Sequence, residues 1–368
     1  MKRKILFLIH LHGSIHGQSL INQSITKSKN IKKNFKTQFI DIATSSTIID
    51  IESFRFMKIF KSINIFFKLL KSLIFFKPDK VYISMSVLGW GFIKDSIFVI
   101  LCKLLGFKLI FHIHRKGVNK VIIKSRIYKF YYKFIFKNVE VIHLSKNLFH
   151  DIKKIIDPNS KKFIVNNGIK KQRLKNFKKS KIFNFIFIAN LFKLKGIYIL
   201  LKAILLLNKK KIYKKFKINI IGSFTRDFKK KDLNNFLYQN RKFNNVNFIG
   251  PIYNKKKFEY LSKSHVMVYP TKDDCFPLCI LEAMSCGLPI ISTYQGAIPE
   301  MIKINYNGIL IKSLNASVLA NAMKIYIENF QLLKVHSKNS QKYFNQKYTI
   351  NSFENNLTDV LKKSFINF

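Results

Sequence analysis

The chain is short of acid. Of its 368 residues, 18 are Asp or Glu against 67 Lys or Arg, giving a formal net charge of +49 at pH 7. It also has few cysteines and few glycines, and no long unbroken apolar run. A bilayer span needs about 20 apolar residues. The stretch 63–76 is interrupted by Lys68 and Lys71, and the stretch 97–111 by Lys103 and Lys108, so neither is expected to span. The opening Met1-Lys2-Arg3-Lys4, followed by Ile5 to Ile9, mimics a signal peptide. Its apolar part is too short, and His10, His12 and Gly13 interrupt it, so it reads as a buried first strand. The four cysteines, Cys102, Cys275, Cys279 and Cys286, have spacings that match no zinc pattern. They read as buried or half-buried free thiols, which suits a reducing cytoplasm.

Three readings compete for the charge. One is nucleic-acid binding. A second is attraction to an anionic membrane leaflet, where each basic residue near the surface contributes about 1 kcal/mol. The third is codon bias, since Lys, Ile, Asn, Phe and Tyr all have A/T-rich codons. With 37 Phe and only 13 Gly, bias accounts for much of the excess. Lysine is spread along the chain instead of gathered in one arm, which argues against a nucleic-acid tail and leaves a membrane contribution beside the bias.

Length and a 48% hydrophobic content allow about two domains. Apolar runs bounded by turns alternate with longer helical patterns. Strands are expected at 4–11, 37–42, 80–85, 108–114, 139–144 and 162–165, with helices at 18–33, 53–76, 92–105, 118–137 and 146–155. A basic, aperiodic stretch at 167–180 reads as a linker. The pattern then restarts, with strands at 183–189, 217–221, 246–249, 266–269, 289–292 and 308–311. Its helices are expected at 197–207, 229–239, 255–261, 278–285 and 316–330, and a last amphipathic one at 351–365. Alternation of this kind implies α/β architecture, two doubly wound parallel sheets with a cleft between them.

The most informative segment is Asp274-Cys275-Phe276-Pro277-Leu278-Cys279-Ile280-Leu281-Glu282. Seven residues separate two carboxylates. Pro277 suits a helix start. That places Asp274 just before the helix, Glu282 about one turn in, and the amides of Leu278 to Ile280 as donors without helical partners. Such a helix end favours phosphate. A carboxylate one turn deeper can accept from the vicinal hydroxyls of a ribose. On spacing alone, a solvated Asp and a core-edge Glu would be the better reading. The sequel, Gly287-Leu288-Pro289, a short strand and the turn Gly296 to Glu300, puts two loops at the carboxyl edge of a parallel sheet, where ligands bind.

From Tyr269-Pro270 to Glu300 the chain resembles the donor-binding region of GT-B glycosyltransferases of family 4. That family carries a Glu, seven residues, Glu signature, then an alanine-rich helix, Gly-x-Pro, a strand and a Gly/Glu turn; Asp274 stands in place of the first Glu. The resemblance covers most of the chain and is closest from Lys181 to Ile311. It implies two Rossmann-like domains, 1–166 on the acceptor side and 181–346 for the nucleotide-sugar, with 347–368 crossing back to the first.

The resemblance also implies roles. Gly13 and Gly17, flanking His16, match the glycine loop that meets acceptor and donor phosphate. His114, ending the fourth strand, matches a contact to the transferred sugar, with Arg115 and Lys116 available to an anionic acceptor. Lys195-Gly196 matches the family's Lys-Gly pair, whose lysine neutralises the leaving diphosphate. Asn190 stands where the family often has Arg, and Lys193 could substitute for it. Phe276, Pro277, Leu278 and Cys279 line the donor, and Glu282 holds its ribose. The implied activity is retaining transfer from a nucleotide-sugar to the hydroxyl of a glycan or lipid-linked acceptor in cell-surface polysaccharide assembly. No metal is expected. The alternatives are a nucleotide-sugar epimerase or phosphorylase of the same fold, or a non-enzymatic polyanion binder. Residues 118–137, mixing aromatics with lysines, are the segment best suited to a membrane surface; a helix packed on its sheet with a charged outer side is the competing reading.

Overall fold

The computed structural model describes residues 1–11, 17–44, 56–172, 179, 181–210, 215–241 and 244–366. Its contacts divide the chain into one unit of Met1–Gly168 with Ile350–Phe368 and a second of Ile169–Thr349.

The first unit is built on six strands: β1 (Lys4–Ile9), β2 (Lys36–Asp41), β3 (Lys80–Met85), β4 (Leu109–Ile113), β5 (Glu140–His143) and β6 (Lys162–Ile164). They lie in the order β2-β1-β3-β4-β5-β6, all parallel. Strand periodicity separates two cores. Leu6 and Leu8 of β1 pack with Ile65, Leu69 and Leu73 of helix Phe56–Phe75, Phe98 of helix Gly89–Leu104 and Ile135 of helix Arg126–Phe136. Ile5, Phe7 and Ile9 face the other way, against Ile21 and Ile25 of helix Gly17–Lys27 and Phe353, Leu357 and Leu361 of helix Ile350–Lys363. That last helix is also tied by polar contacts. Ser28 Oγ donates to Glu354 at 2.8 Å, and the buried Lys80 ammonium reaches Glu140 (2.5 Å) and the Ser364 carbonyl (2.6 Å).

Two expected helices are each broken by a serine. Ser28 caps helix Lys29–Asn34 by accepting from the Ile31 amide, dividing the 18–33 segment. Ser125, at φ −147°, ends helix Val118–Lys124 and caps Arg126–Phe136 by accepting from the Tyr128 amide. Serine competes for backbone donors in this way and so favours caps over helix interiors. The helix expected at 146–155 is a 3-10 turn at Asn147–Asp151. Asp151 is drawn away to accept from the amides of Gly117 (2.7 Å), Val118 (2.9 Å) and Asn119 (3.1 Å).

The second unit holds β7 (Phe183–Ile188), β8 (Phe216–Ile221), β9 (Val246–Gly250), β10 (Val266–Tyr269), β11 (Ile290–Thr293) and β12 (Gly308–Ile311). The order is β12-β11-β10-β7-β8-β9, again all parallel. Because β7 and β10 are neighbours, the loops leaving their carboxyl ends lie side by side. Helix Phe330–Lys347 was not foreseen. Its sequence is largely polar, and it buries only Leu333, Tyr343 and Phe344 among its large apolar side chains. Asn329 starts it by accepting from the Leu332 amide and ends the preceding helix, Ala316–Glu328.

Candidate active site

In the second unit, the loop after β7 forms a 3-10 turn, Lys193–Lys195, then Gly196 at φ +85°, then helix Ile197–Lys209. A Cβ at Gly196 would lie 2.0 Å from the Pro270 carbonyl oxygen, so glycine is what lets this loop touch the one after β10. Two hydrogen bonds fix the contact, from Lys272 N (2.7 Å) and Thr271 Oγ1 (3.1 Å) to the Leu194 carbonyl. Gly296 performs the same service for the loop after β11, where a Cβ would meet the Asp274 carbonyl oxygen at 2.3 Å. There the Ala297 amide donates to Cys275 O at 2.8 Å.

This scaffold brings Lys195 to Asp274. The Lys195 ammonium lies 2.5 Å from Asp274 Oδ2 and donates to the Asp273 carbonyl at 3.2 Å. The same carboxylate oxygen accepts from the Tyr269 hydroxyl at 2.6 Å, and Oδ1 accepts from the Cys275 amide at 2.8 Å. Burial, then the Asp274 charge, pushes the Tyr269 phenol well above its ordinary range, so Tyr269 stays a proton donor.

Beyond Asp274, Pro277 sits at φ −70° ahead of helix Leu278–Ser285, and no side chain caps that helix. The Ile280 amide donates back to the Pro277 carbonyl at 3.1 Å, which corrects the expected trio of unpartnered amides and leaves those of Leu278 and Cys279 at the helix start. Phe276 is buried. The Cys279 thiol is driven up by burial and by the Asp274 and Glu282 carboxylates, so it is no thiolate at neutral pH.

One turn into the helix, Glu282 Oε1 pairs with the Lys257 ammonium at 2.5 Å; Lys257 belongs to helix Asn254–Lys263. Burial raises the Glu282 pKa, and Lys257 opposes the rise. The Lys257 partnership was not read from the sequence. One lysine in the run Lys255-Lys256-Lys257 carries no signal of its own. Asn190 is exposed after β7, and the Lys193 amide, not its ammonium, contacts Asp227, at 3.3 Å.

In the first unit, His114 follows β4. Its ring centroid is 4.1 Å from that of His112, which shares a 2.5 Å hydrogen bond with the Tyr82 hydroxyl. Both His114 nitrogens, His112 Nε2, His143 Nε2 and Ser145 Oγ are buried with no hydrogen-bond partner among the described residues. Burial holds His112 well below its ordinary pKa and both His114 and His143 down to about 3, so all three are neutral. Gly17 begins helix Gly17–Lys27, whose Gln18 donates to Ser84 Oγ at 3.0 Å. Gly13 and His16 lie outside the described residues. The structure thus brings Lys195 and Asp274 together with Tyr269 and places Glu282 one helical turn beyond them. His114 belongs to a histidine cluster of the first unit. No group of three or more His, Cys, Asp or Glu among the described residues is placed to hold a metal ion.

Comparison with known proteins shows what the chain is similar to. Residues 166–343 match the glycosyl transferases group 1 family. An uncharacterized glycosyltransferase of Methanocaldococcus jannaschii is 27% identical over 242 residues, covering 63% of this chain and 62% of that relative. Among solved structures, a glycosyltransferase from Rickettsia africae superposes with a TM-score of 0.73 at 15% identity, over 100% of both chains. Anabaena HepE, solved in complex with UDP-glucose, superposes with a TM-score of 0.69 at 16% identity, over 98% of this chain and 99% of its own. Residues 166–343 thus resemble the glycosyl transferases group 1 over just under half of the chain, and with two parallel six-stranded sheets of this order the chain has the GT-B fold.

Proposed function

We propose that the chain is a retaining glycosyltransferase that moves a sugar from a nucleotide-sugar to the hydroxyl of a glycan or lipid-linked acceptor, in cell-surface polysaccharide assembly at the cytoplasmic side of a membrane. The observation that carries this reading is the junction of the loops after β7 and β10. It sets a cation, Lys195, beside an uncapped helix start and places a carboxylate, Glu282, one turn behind it. A nucleoside diphosphate needs those three features: positive charge and amides for its phosphates, and an acceptor of paired hydrogen bonds for its ribose. The UDP-glucose bound to Anabaena HepE, which shares the fold, supports a nucleotide-sugar as the donor class.

In the reaction, negative charge develops on the leaving diphosphate. Lys195 and the amides of Leu278 and Cys279 stabilise it there, and we assign the role to them in place of a metal ion. Asp274, held by Tyr269, orients the transferred sugar, and His114 takes the family's sugar contact. We assign a front-side displacement, as the family resemblance implies, in which the leaving phosphate accepts the acceptor's proton.

The test is a panel of nucleotides and nucleotide-sugars read by thermal shift, followed by turnover with the stabilising donor and the product's anomeric configuration by NMR. Glu282→Ala is expected to lower turnover at least ~100-fold, about 2.7 kcal/mol, with the circular dichroism spectrum unchanged. Near-normal turnover in that variant would remove the ribose role, and inversion at the anomeric carbon would remove the retaining mechanism.

A further inference from the structure

One side of the first unit is apolar where water should be. Helices Phe56–Phe75, Gly89–Leu104 and Arg126–Phe136 pack against the same side of the sheet, and the middle helix touches both others. Their inner residues fill the core; their outer residues do not follow the usual polar pattern. Phe60, Phe67 and Phe75 of the first are exposed, as are Leu104 of the second and Ile127 and Phe130 of the third, Phe67 by 62% and Phe130 by 76%. More than half of the exposed large apolar side chains among the described residues fall between Ile59 and Phe134. Scattered apolar residues need no explanation, but a concentration on one side of one unit does.

The charge on this surface has one sign. Lys61, Lys68 and Lys71 alternate with the exposed apolar residues of the first helix, and Arg126, Lys129 and Lys133 with those of the third. Between Phe56 and Lys137 the only acids are Asp79 and Asp95. Asp95 is fully buried, and Asp79 is occupied by the Lys4 amide at 2.7 Å and Arg3 at 3.5 Å. Codon bias can supply lysine and phenylalanine, but it does not choose which side of a folded unit they occupy.

We propose that this three-helix surface docks the protein on an anionic lipid bilayer, the aromatic and aliphatic side chains entering the headgroup boundary and the lysines meeting lipid phosphates. Long basic side chains interleaved with exposed aromatics are what such an interface needs. A second copy of the chain fits poorly, because an isologous contact would set this acid-free surface against itself. The inference concerns the first unit alone and is independent of the reaction proposed above.

The test is co-sedimentation of the full chain with phosphatidylcholine vesicles, with and without phosphatidylglycerol. The parent is expected to bind the anionic vesicles and largely ignore the neutral ones. Lys129→Glu/Lys133→Glu should lower partitioning about tenfold or more, and Phe67→Ser/Phe130→Ser by a comparable factor. The exposed pair Lys230→Glu/Lys231→Glu, in the second unit, makes the same charge change and should leave binding within about twofold of the parent. Thermal melts check that each variant folds. Failure of the parent to bind, an equal loss in the second-unit control, or binding that heparin abolishes and the two Phe substitutions leave intact would each overturn the proposal. So would a dimer seen by light scattering that the Phe substitutions dissociate without changing vesicle binding.

Discussion

Glu282 and Lys257 form an ion pair at 2.5 Å, the carboxylate one turn inside helix Leu278–Ser285 and the ammonium on the adjacent helix Asn254–Lys263. Both side chains are largely buried, at 14% and 18% exposure. Burial favours the protonated form of this carboxyl, and the Lys257 charge favours the ionised one.

Its pH behaviour follows. The Glu282 pKa is raised, so the folded state binds that proton more readily than the unfolded chain, and stability falls as pH rises through the folded value. Lys257 offsets this only while Glu282 is ionised. Lys257→Met is therefore expected to lose more stability relative to the parent at pH 8 than at pH 5, by about 1–2 kcal/mol. Urea titrations of both proteins at the two pH values check it. An equal deficit at both would mean that the lysine's contribution is packing alone.

Lys195 tests the leaving-group side of the reaction. Its ammonium is held by Asp274 and the Asp273 carbonyl, so it is oriented before any ligand arrives. Lys195→Ala is expected to lower kcat about 100-fold or more, while Asp274→Asn, which keeps the shape and a Tyr269 acceptor, costs less. Steady-state kinetics with the donor found by thermal shift would separate the two. A change in KM with kcat intact would move Lys195 from transition-state stabilisation to plain binding.

The sequence carried the sheets well and the side-chain partnerships poorly. Strands such as Lys80–Met85, Val266–Tyr269 and Gly308–Ile311 coincide with their apolar runs because buried parallel strands are bounded by polar turns. Helix Leu278–Ser285 was legible for a related reason, an apolar run between Pro277 and Gly287. Helix Phe330–Lys347 was not, since its polar composition supplies no period and only tertiary packing orders it. Within the site, the acids and Lys195 stood out through their spacing and their neighbours. Lys257 did not, because only the fold decides which lysine of three consecutive ones turns toward Glu282.

Gly196 offers a stability test of the loop junction. Any side chain there meets the Pro270 carbonyl as well as the cost of a positive φ. Gly250, at φ +79° in the same unit, has no heavy atom within 4 Å of the corresponding Cβ. Gly250→Ala is expected to cost about 1 kcal/mol from backbone conformation alone. Gly196→Ala should cost at least twice that, with loss of donor-induced thermal stabilisation. Denaturant titrations of the two variants compare conformation with collision directly.

The histidine cluster of the first unit sets an acid limit. His112, His114 and His143 are neutral and buried, with His114 and His143 held down to about 3. In the unfolded chain each titrates near ~6.5, so below that pH the unfolded state binds more protons than the folded one. The stability these groups contribute is therefore fully present above about pH 6.5 and is lost as pH falls toward their folded values. Each contributes up to ~1.4 kcal/mol per pH unit across that window. His143→Gln removes one such proton, so its plot of unfolding free energy against pH should be flatter than the parent's by about that slope between roughly pH 6 and pH 4. Urea unfolding at half-unit steps would show it. Parallel plots would mean that His143 is already protonated in the folded protein, against the burial that holds its pKa down.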